Sequence, residues 1–263
     1  MKTRIGARRL VIALLATPLV ALVAAVTPSS ASAGDDHRDG SAHWGVITRN
    51  TIGSPVAALR TGPFGSFGVT GPAARPPYGE GSLGIEVADD STTLTPPSEK
   101  VDFGNEVDFL GKRVSTLTRL GFHVFQADEN VAYGGPTNMP NIRFEIDPNL
   151  TAQPATTYST LVWLPAAAPV TNRWSGYLDA TTTGTWFLTG AAGTATGCAL
   201  ATPCTFAAVK AALDVDGGEA ATIYTAAVGK GRDFNWVGAV DGLRINDTIY
   251  DFEASGVKTR RSR

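Results

Sequence analysis

The stretch AVDGLRINDTIYDFE, residues 239–253, decides the fold of this chain because it has the pattern of a β-hairpin. Leu243 and Ile245 point to one side of a first strand, while the glycine and polar residues beside them point to the other. The sequence Asn246-Asp247-Thr248 favours a turn, and a second strand starts at Ile249. We expect this hairpin to close a β-sandwich that is a catalytic domain, a binding module or a structural unit.

The first 33 residues have the pattern of a signal peptide. Four basic residues precede the apolar run LVIALLATPLVALVAAV, and the small residues Ala-Ser-Ala stand directly before Gly34. The alternative is a membrane anchor, but Pro18 and the abrupt polar exit TPSS favour a signal peptide. No second apolar run of membrane-spanning length follows. We therefore predict cleavage after Ala33 and a secreted, extracellular protein.

Composition and charge narrow the classes of function. Residues 1–33 hold four of the 22 Lys and Arg residues and none of the 24 Asp and Glu residues, so the remaining 230 residues carry 18 basic and 24 acidic side chains, a net charge of −6. A nucleic-acid-binding domain needs a basic face, so this balance disfavours that role. The 29 Gly and 16 Pro residues are typical of many short strands joined by tight turns.

The chain contains two cysteines, Cys198 and Cys204, in the segment GCALATPC. Two cysteines this close in an exported protein are expected to form a disulfide. Closing so short a loop stabilises a fold by about 2 kcal/mol in the chain-entropy model. A metal or redox site is the alternative, but the spacing is not C-x-x-C and the three histidines lie far away in the sequence.

Alternation along the chain predicts about ten short strands and one helix. Clear strand patterns are WGVITRN, SLGIEVA, NIRFEIDP and YSTLVWLPA. In the last of these, Leu161 and Trp163 point one way, and the residues that point the other way are Tyr158, Thr160, Val162 and Leu164. The segment TFAAVKAALD has helical spacing, and either Thr205 or Cys204 stands at the start of the helix.

These elements predict an all-β fold, a jelly-roll-like β-sandwich with one short helix. The predicted organisation is a signal peptide at 1–33, a flexible N-terminal segment at 34–43, the sandwich domain at 44–254 and a basic C-terminal tail at 255–263.

The order of several segments resembles a known group of proteins. The segments are GEGSL at 79–83, STLTRLGFHVF, NIRFEID, the hairpin RWSGYLDATTTGTWF, the cysteine loop and the final hairpin. Over residues 44–254 this order resembles exported β-sandwich proteins common in actinobacteria, mostly of unassigned function. It is more distantly similar to galactose-binding-like jelly-roll carbohydrate-binding modules. The resemblance implies a non-catalytic module and, through Asp241 on a closing strand, a structural calcium ion. The second acid that such a site needs is not evident in an early strand.

Aromatic residues in the second half of the chain are the candidate ligand contacts. Flat aromatic rings provide large contact area for sugar rings at little entropic cost. The segment NRWSGYLD places Trp174 and Tyr177 beside hydrogen-bonding neighbours, and Trp186 follows in the next strand. The predicted ligand-binding set is Arg173, Trp174, Tyr177, Asp179 and Trp186. The alternative is that Trp163 and Trp186 belong to the core and Trp174 anchors a loop.

Catalysis is the weaker alternative. A glycoside hydrolase needs two carboxylates that face one cleft. The candidates are Glu86, Glu145, Asp147 and Asp179, which a solvated strand face also explains. No serine lies in a G-x-S-x-G motif. The sequence therefore predicts a secreted module that binds extracellular polysaccharide or cell-surface glycan, with a structural or adhesive protein-contacting role as the first alternative and a glycoside hydrolase as the second.

Overall fold

A computed structural model describes residues 41–262 except residues 92, 136, 167–169 and 215–217. The predicted signal peptide and most of the predicted segment 34–43 lie outside the described residues. The strands are β1 (Trp44–Val46), β2 (Val56–Thr61), β3 (Gly81–Val87), β4 (Val101–Asn105), β5 (Leu120–Gln126), β6 (Asn141–Asp147), β7 (Ser159–Leu164), β8 (Arg173–Trp174), β9 (Leu178–Asp179), β10 (Thr185–Leu188), β11 (Thr222–Lys230), β12 (Trp236–Ile245), β13 (Thr248–Glu253) and β14 (Gly256–Arg261). The α-helices are α1 (Asp128–Gly134), α2 (Gly190–Thr196) and α3 (Phe206–Ala212).

The strands form two antiparallel sheets that pack face to face, which confirms the predicted all-β sandwich. The six-stranded sheet has the order β1-β4-β11-β6-β7-β10. In the eight-stranded sheet, β14-β13-β12-β3-β2 are neighbours, β5 pairs with β12, and β8 and β9 pair with β5. Leu83, Val240 and Phe252 of the eight-stranded sheet are fully buried in the same core cluster as Phe144 and Leu161 of the six-stranded sheet.

The final hairpin forms as its sequence predicts. Leu243 faces Tyr250 and Ile245 faces Thr248 across β12 and β13, and Leu243, Ile245 and Phe252 are buried in the core. The turn residue Asn246 has a φ of 57°, a left-handed conformation that asparagine tolerates better than most residues.

A further strand follows this hairpin. Residues 256–261, predicted as part of a basic tail, form β14 and pair with β13 from Gly256 to Arg261. The correction has a simple cause: Ala254-Ser255-Gly256 allows a tight turn, and Val257 is buried against the core. The basic residues of this edge strand give its sequence the composition of an unstructured basic tail, so the strand was not predicted.

The predicted helix and disulfide are both present. The helix α3 begins after Thr205, whose side chain accepts a hydrogen bond from the N–H of Ala208 (3.2 Å). Cys198 and Cys204 are bonded. The loop that they close lies along β10, where Trp186 and Cys204 form an isolated bridge. Two further short helices, α1 and α2, were not predicted because their seven-residue segments, DENVAYG and GAAGTAT, lack apolar periodicity.

The two sheets differ in what covers their outer faces. On β5, Phe122 and Val124 point into the core, yet the outward-pointing Phe125 is also fully buried. The Gly/Pro-rich connection from β2 to β3 lies over this face: the indole N–H of Trp174, whose ring packs on Phe125, donates to the carbonyl of Ala74 (3.2 Å). The outer face of the six-stranded sheet instead carries an open groove.

No helix in the described part of the chain is long and apolar enough to cross a membrane.

Candidate functional site

The predicted aromatic contacts do not form one surface. Trp186 lies on β10 of the six-stranded sheet, whereas Trp174 and Tyr177 lie on or between β8 and β9 of the eight-stranded sheet. Trp186 has 0% of its surface exposed, and its indole N–H donates to the carbonyl of Ala180 (2.7 Å). The expectation that Trp186 contacts a ligand is therefore wrong. It faces Trp163, also buried, across β7 and β10, so both are core residues.

The other predicted ligand contacts have local partners. The ring of Tyr177 lies 5.9 Å from that of His123, and burial raises the pKa of Tyr177. A carboxylate oxygen of Asp179 accepts from the backbone N–H and the hydroxyl of Thr181 (2.8 and 2.6 Å), which caps the turn after β9. Arg173 is exposed and Trp174 is half-buried. Of these residues, Trp174 and Tyr177 pack against β5, through Phe125 and His123.

Asp241 is completely buried and ties three parts of the chain together. Its two carboxylate oxygens accept from the backbone N–H groups of Tyr78 and Phe252, each at 3.1 Å. His123 is its cross-strand partner, but Nδ1 of His123 donates to the carbonyl of Ser175 (3.0 Å). Since N–H donors surround this carboxylate, its contacts do not support the predicted calcium ligation. The described residues contain no cluster of three or more His, Cys, Asp or Glu side chains suited to a metal ion.

We expect Asp241 to make stability fall as pH rises. Burial and the neighbouring Asp251 raise the pKa of Asp241 to about 7, whereas its unfolded pKa is about 3.9. At a pH between these two pKa values, the folded state keeps a proton that the unfolded state has released. The stabilisation by Asp241 is therefore complete below the pKa of the unfolded state, and it is lost as the pH rises through the pKa of the folded state. Between about pH 5 and about pH 8 the loss is about 2 to 3 kcal/mol. Urea unfolding at both pH values measures it.

The variant Asp241→Asn isolates this contribution. It is expected to be less stable than the parent protein at the lower pH, since an amide leaves one N–H donor without its acceptor, but to lose less stability on going to the higher pH. Asp247→Asn removes an exposed carboxylate and is the control, with an unchanged pH slope. Equal slopes for the parent protein and Asp241→Asn would contradict the prediction.

A groove of about 300 Å³ lies on the outer face of the six-stranded sheet, with the half-buried ring of Phe187 in its lining. Its floor is formed by alternate residues of β6 and β7, namely Asn141, Arg143, Thr160, Val162 and Leu164. One wall consists of Phe187 and Leu200, and Leu200 lies in the disulfide loop with 62% of its surface exposed. The other wall consists of Lys100 and the β11–β12 turn, residues 231–233. The disulfide therefore shapes one side of the groove.

A buried ion pair supports the floor of the groove. Nη1 of Arg143 donates to Asp102 (2.6 Å), and Nη2 donates to the side-chain oxygen of Asn141 (3.1 Å). Nζ of Lys100 lies 3.3 Å from the other oxygen of Asp102. Gly229 is the cross-strand neighbour of Asp102, and a Cβ at this position would clash with a carboxylate oxygen of Asp102, so the pair needs glycine here. The geometry of this pair fixes where Arg143 lies.

Beyond Thr160 the same sheet face continues to a second polar group. Tyr158 has 52% of its surface exposed, and its hydroxyl donates to Glu145 (2.7 Å). Asn50 and Arg49 also donate to this carboxylate. Burial alone would raise the pKa of Glu145, but these hydrogen bonds and the positive charge of Arg49 outweigh it and lower the pKa. A carboxylate held in its ionised form in this way cannot serve as a general acid near neutral pH.

The predicted hydrolase carboxylates are distributed over both sheets. Glu86 lies on β3 and Asp179 on β9 of the eight-stranded sheet, whereas Glu145 and Asp147 are both on β6. Asp147 accepts from the hydroxyl of Tyr224 (3.1 Å) and from the N–H of Asn149 (3.1 Å). None of these four carboxylates lines the groove.

Sequence reasoning missed most of the groove. The strand alternation in the sequence correctly predicts that Tyr158, Thr160, Val162 and Leu164 share one face. The other lining residues Phe187, Lys100 and Arg232 come from segments far apart in the chain, so no local pattern groups them.

Comparisons with protein-family models, with curated proteins and with solved structures find no match to this chain. The resemblance drawn from the order of segments therefore stays a prediction.

Proposed function

We propose that this chain is a secreted, non-catalytic module that binds extracellular polysaccharide along the outer face of its six-stranded sheet. The observation that carries the proposal is the groove, in which Val162, Leu164 and Phe187 lie beside the polar side chains of Asn141 and Thr160. Concave sites that combine apolar surface with a few fixed hydrogen-bonding groups are the usual form of small-ligand sites.

Two aromatic rings suit this function. Phe187 is half-buried on one wall of the groove, and Tyr158 stands exposed at the end of the same face. A sugar ring can stack its C–H face on such rings while its hydroxyl groups bond to amide and hydroxyl side chains. A larger depression, about 500 Å³, lies beside β13 and β14, but Tyr250, its one aromatic lining residue, is buried there. That depression lacks a stacking surface.

The variants Phe187→Ala and Tyr158→Ala are expected to weaken binding of the responsive glycan about tenfold each, the effect of losing about 1.4 kcal/mol of contact energy. Tyr158→Phe keeps the ring and is expected to stay within about threefold of the parent affinity, because a rim hydrogen bond contributes little. Affinity electrophoresis against a panel of soluble polysaccharides identifies the glycan, and calorimetry then measures the dissociation constants.

Tyr133→Ala is the matched control. Tyr133 has 48% of its surface exposed in α1, on the side of the eight-stranded sheet, and does not line the groove. It is expected to bind as the parent does. If a glycan binds and Tyr133→Ala weakens it while Phe187→Ala does not, the site is elsewhere on the molecule and the groove proposal fails.

A second candidate function is contact with another protein. Val107 and Leu110 expose 56% and 63% of their surface in the loop after β4. Exposed apolar residues grouped in this way mark interaction surfaces more often than isolated ones do. Absence of binding to every glycan, together with loss of a cell-surface contact in the variant Val107→Ser/Leu110→Ser, would favour this adhesive role.

A further inference from the structure

We infer that the glycan bound in the groove is acidic, with carboxylate groups on its sugar rings. The inference rests on the proposed glycan-binding function and specifies its ligand. Three cationic side chains line the groove, Lys100, Arg143 and Arg232, and one anionic side chain, Asp233, lies among them. The chain as a whole has a net charge of −2, so this face differs in sign from the average surface.

The anions near the groove are already engaged. Asp102 is shared by two cations, Arg143 and Lys100, so one carboxylate faces two positive charges. Asp233 pairs with Lys230, whose ammonium group is fully buried behind the β11–β12 turn. Counted over these groups and Asp89, whose negative charge also acts on Lys230, four cations stand against three carboxylates, a surplus of one positive charge at one wall and the floor of the groove.

Arg232 supplies a partly exposed share of that surplus. Its Nε donates to the carbonyl of Ser98 (3.0 Å) and its Nη2 donates to the carbonyl of Pro96 (2.5 Å). These bonds hold the guanidinium in place but do not neutralise it, because both acceptors are uncharged. An orientated guanidinium is well suited to a planar carboxylate, which it can bind through two parallel hydrogen bonds.

The layout matches the chemistry of a uronic acid. Charge lies on the wall formed by Lys100 and Arg232, an apolar ring lies on the opposite wall at Phe187, and the floor between them presents Asn141 and Thr160. A sugar that stacks on Phe187 would direct a ring carboxylate toward the cationic wall and its hydroxyls toward the floor. A neutral sugar would leave the cationic wall without a counter-charge.

The test compares polygalacturonate and alginate with the same polymers after reduction of their carboxylates to alcohols. Calorimetry on the intact protein is expected to give at least tenfold tighter binding to one acidic polymer than to its neutral counterpart. Arg232→Gln and Lys100→Gln are each expected to weaken acidic binding at least fivefold and neutral binding less than twofold. Raising the ionic strength should weaken only the acidic interaction, since partly exposed charges are screened by salt.

Arg119→Gln is the control, because Arg119 forms an exposed pair with Asp247 away from the groove. A thermal melt of each variant shows whether it is folded, and Arg232→Lys, which keeps the charge, should retain more affinity than Arg232→Gln. Equal or tighter binding of the reduced polymers would overturn the acidic ligand and leave the proposed glycan-binding function standing. Absence of binding to all four polymers would overturn the acidic ligand, and absence of binding to the wider polysaccharide panel as well would overturn the proposed function.

Discussion

Replacing Trp186 with Ala is expected to lower the free energy of unfolding by about 3 to 5 kcal/mol, the range for truncating a large core aromatic. Trp186 packs on Phe144 and Phe206, with ring centroids 6.5 and 5.2 Å away, so it joins the six-stranded sheet to α3. Truncation leaves a cavity at this junction, and it also leaves the carbonyl of Ala180 without its donor. Urea unfolding monitored by far-ultraviolet circular dichroism measures the loss.

Trp174→Ala is the matched control for this prediction. Trp174 is only half-buried, and its indole bond to Ala74 holds a surface connection, so the expected loss is about 1 to 2 kcal/mol. The conservative variant Trp186→Phe is expected to stay folded and to bind glycan as the parent protein does. Loss of binding in folded Trp186→Phe would contradict the core assignment and would restore Trp186 as a ligand contact.

Trp186 also shows why sequence predicts this fold better than its site. Strand alternation is a local property, so Leu243 and Ile245, or Leu161 and Trp163, could be assigned to a buried face from a few neighbouring residues. Whether the opposite face of the same strand is exposed depends on which segment, distant in the sequence, covers that face. Trp186 and Phe187 are adjacent in sequence, yet one fills the core and the other lines the groove.

The pairing of charged residues could not be predicted from the sequence either. Asp102 and Arg143 are 41 positions apart and meet only because β11 pairs with β4 on one edge and with β6 on the other. The role predicted for Asp241 depended on an early-strand acid. The structure instead supplies backbone N–H groups from the β2–β3 connection and β13, and no side-chain pattern in the sequence marks them.

Replacing Asp102 with Ala is expected to destabilise the protein by about 3 to 5 kcal/mol, because it leaves the buried guanidinium of Arg143 without its counter-charge. Arg143 has only 6% of its surface exposed and cannot turn to solvent without opening the floor of the groove. Lys100 is partly exposed and can be hydrated, so most of the loss arises at Arg143. Urea unfolding at neutral pH measures it. Asp247→Ala, which breaks the exposed pair with Arg119, is expected to cost less than about 1 kcal/mol.

The double variant Asp102→Ala/Arg143→Met separates the ion pair from the shape of the site. Removing both charges is expected to recover most of the stability lost in Asp102→Ala, since an apolar side chain of similar length needs no counter-charge. Glycan binding should not recover with it, because Asn141 would lose the guanidinium that bonds to its side-chain oxygen and the floor would lose its positive charge. Recovery of both stability and binding would show that the pair serves only folding. Recovery of stability without recovery of binding would show that the Asp102–Arg143 pair contributes to ligand binding as well as to folding.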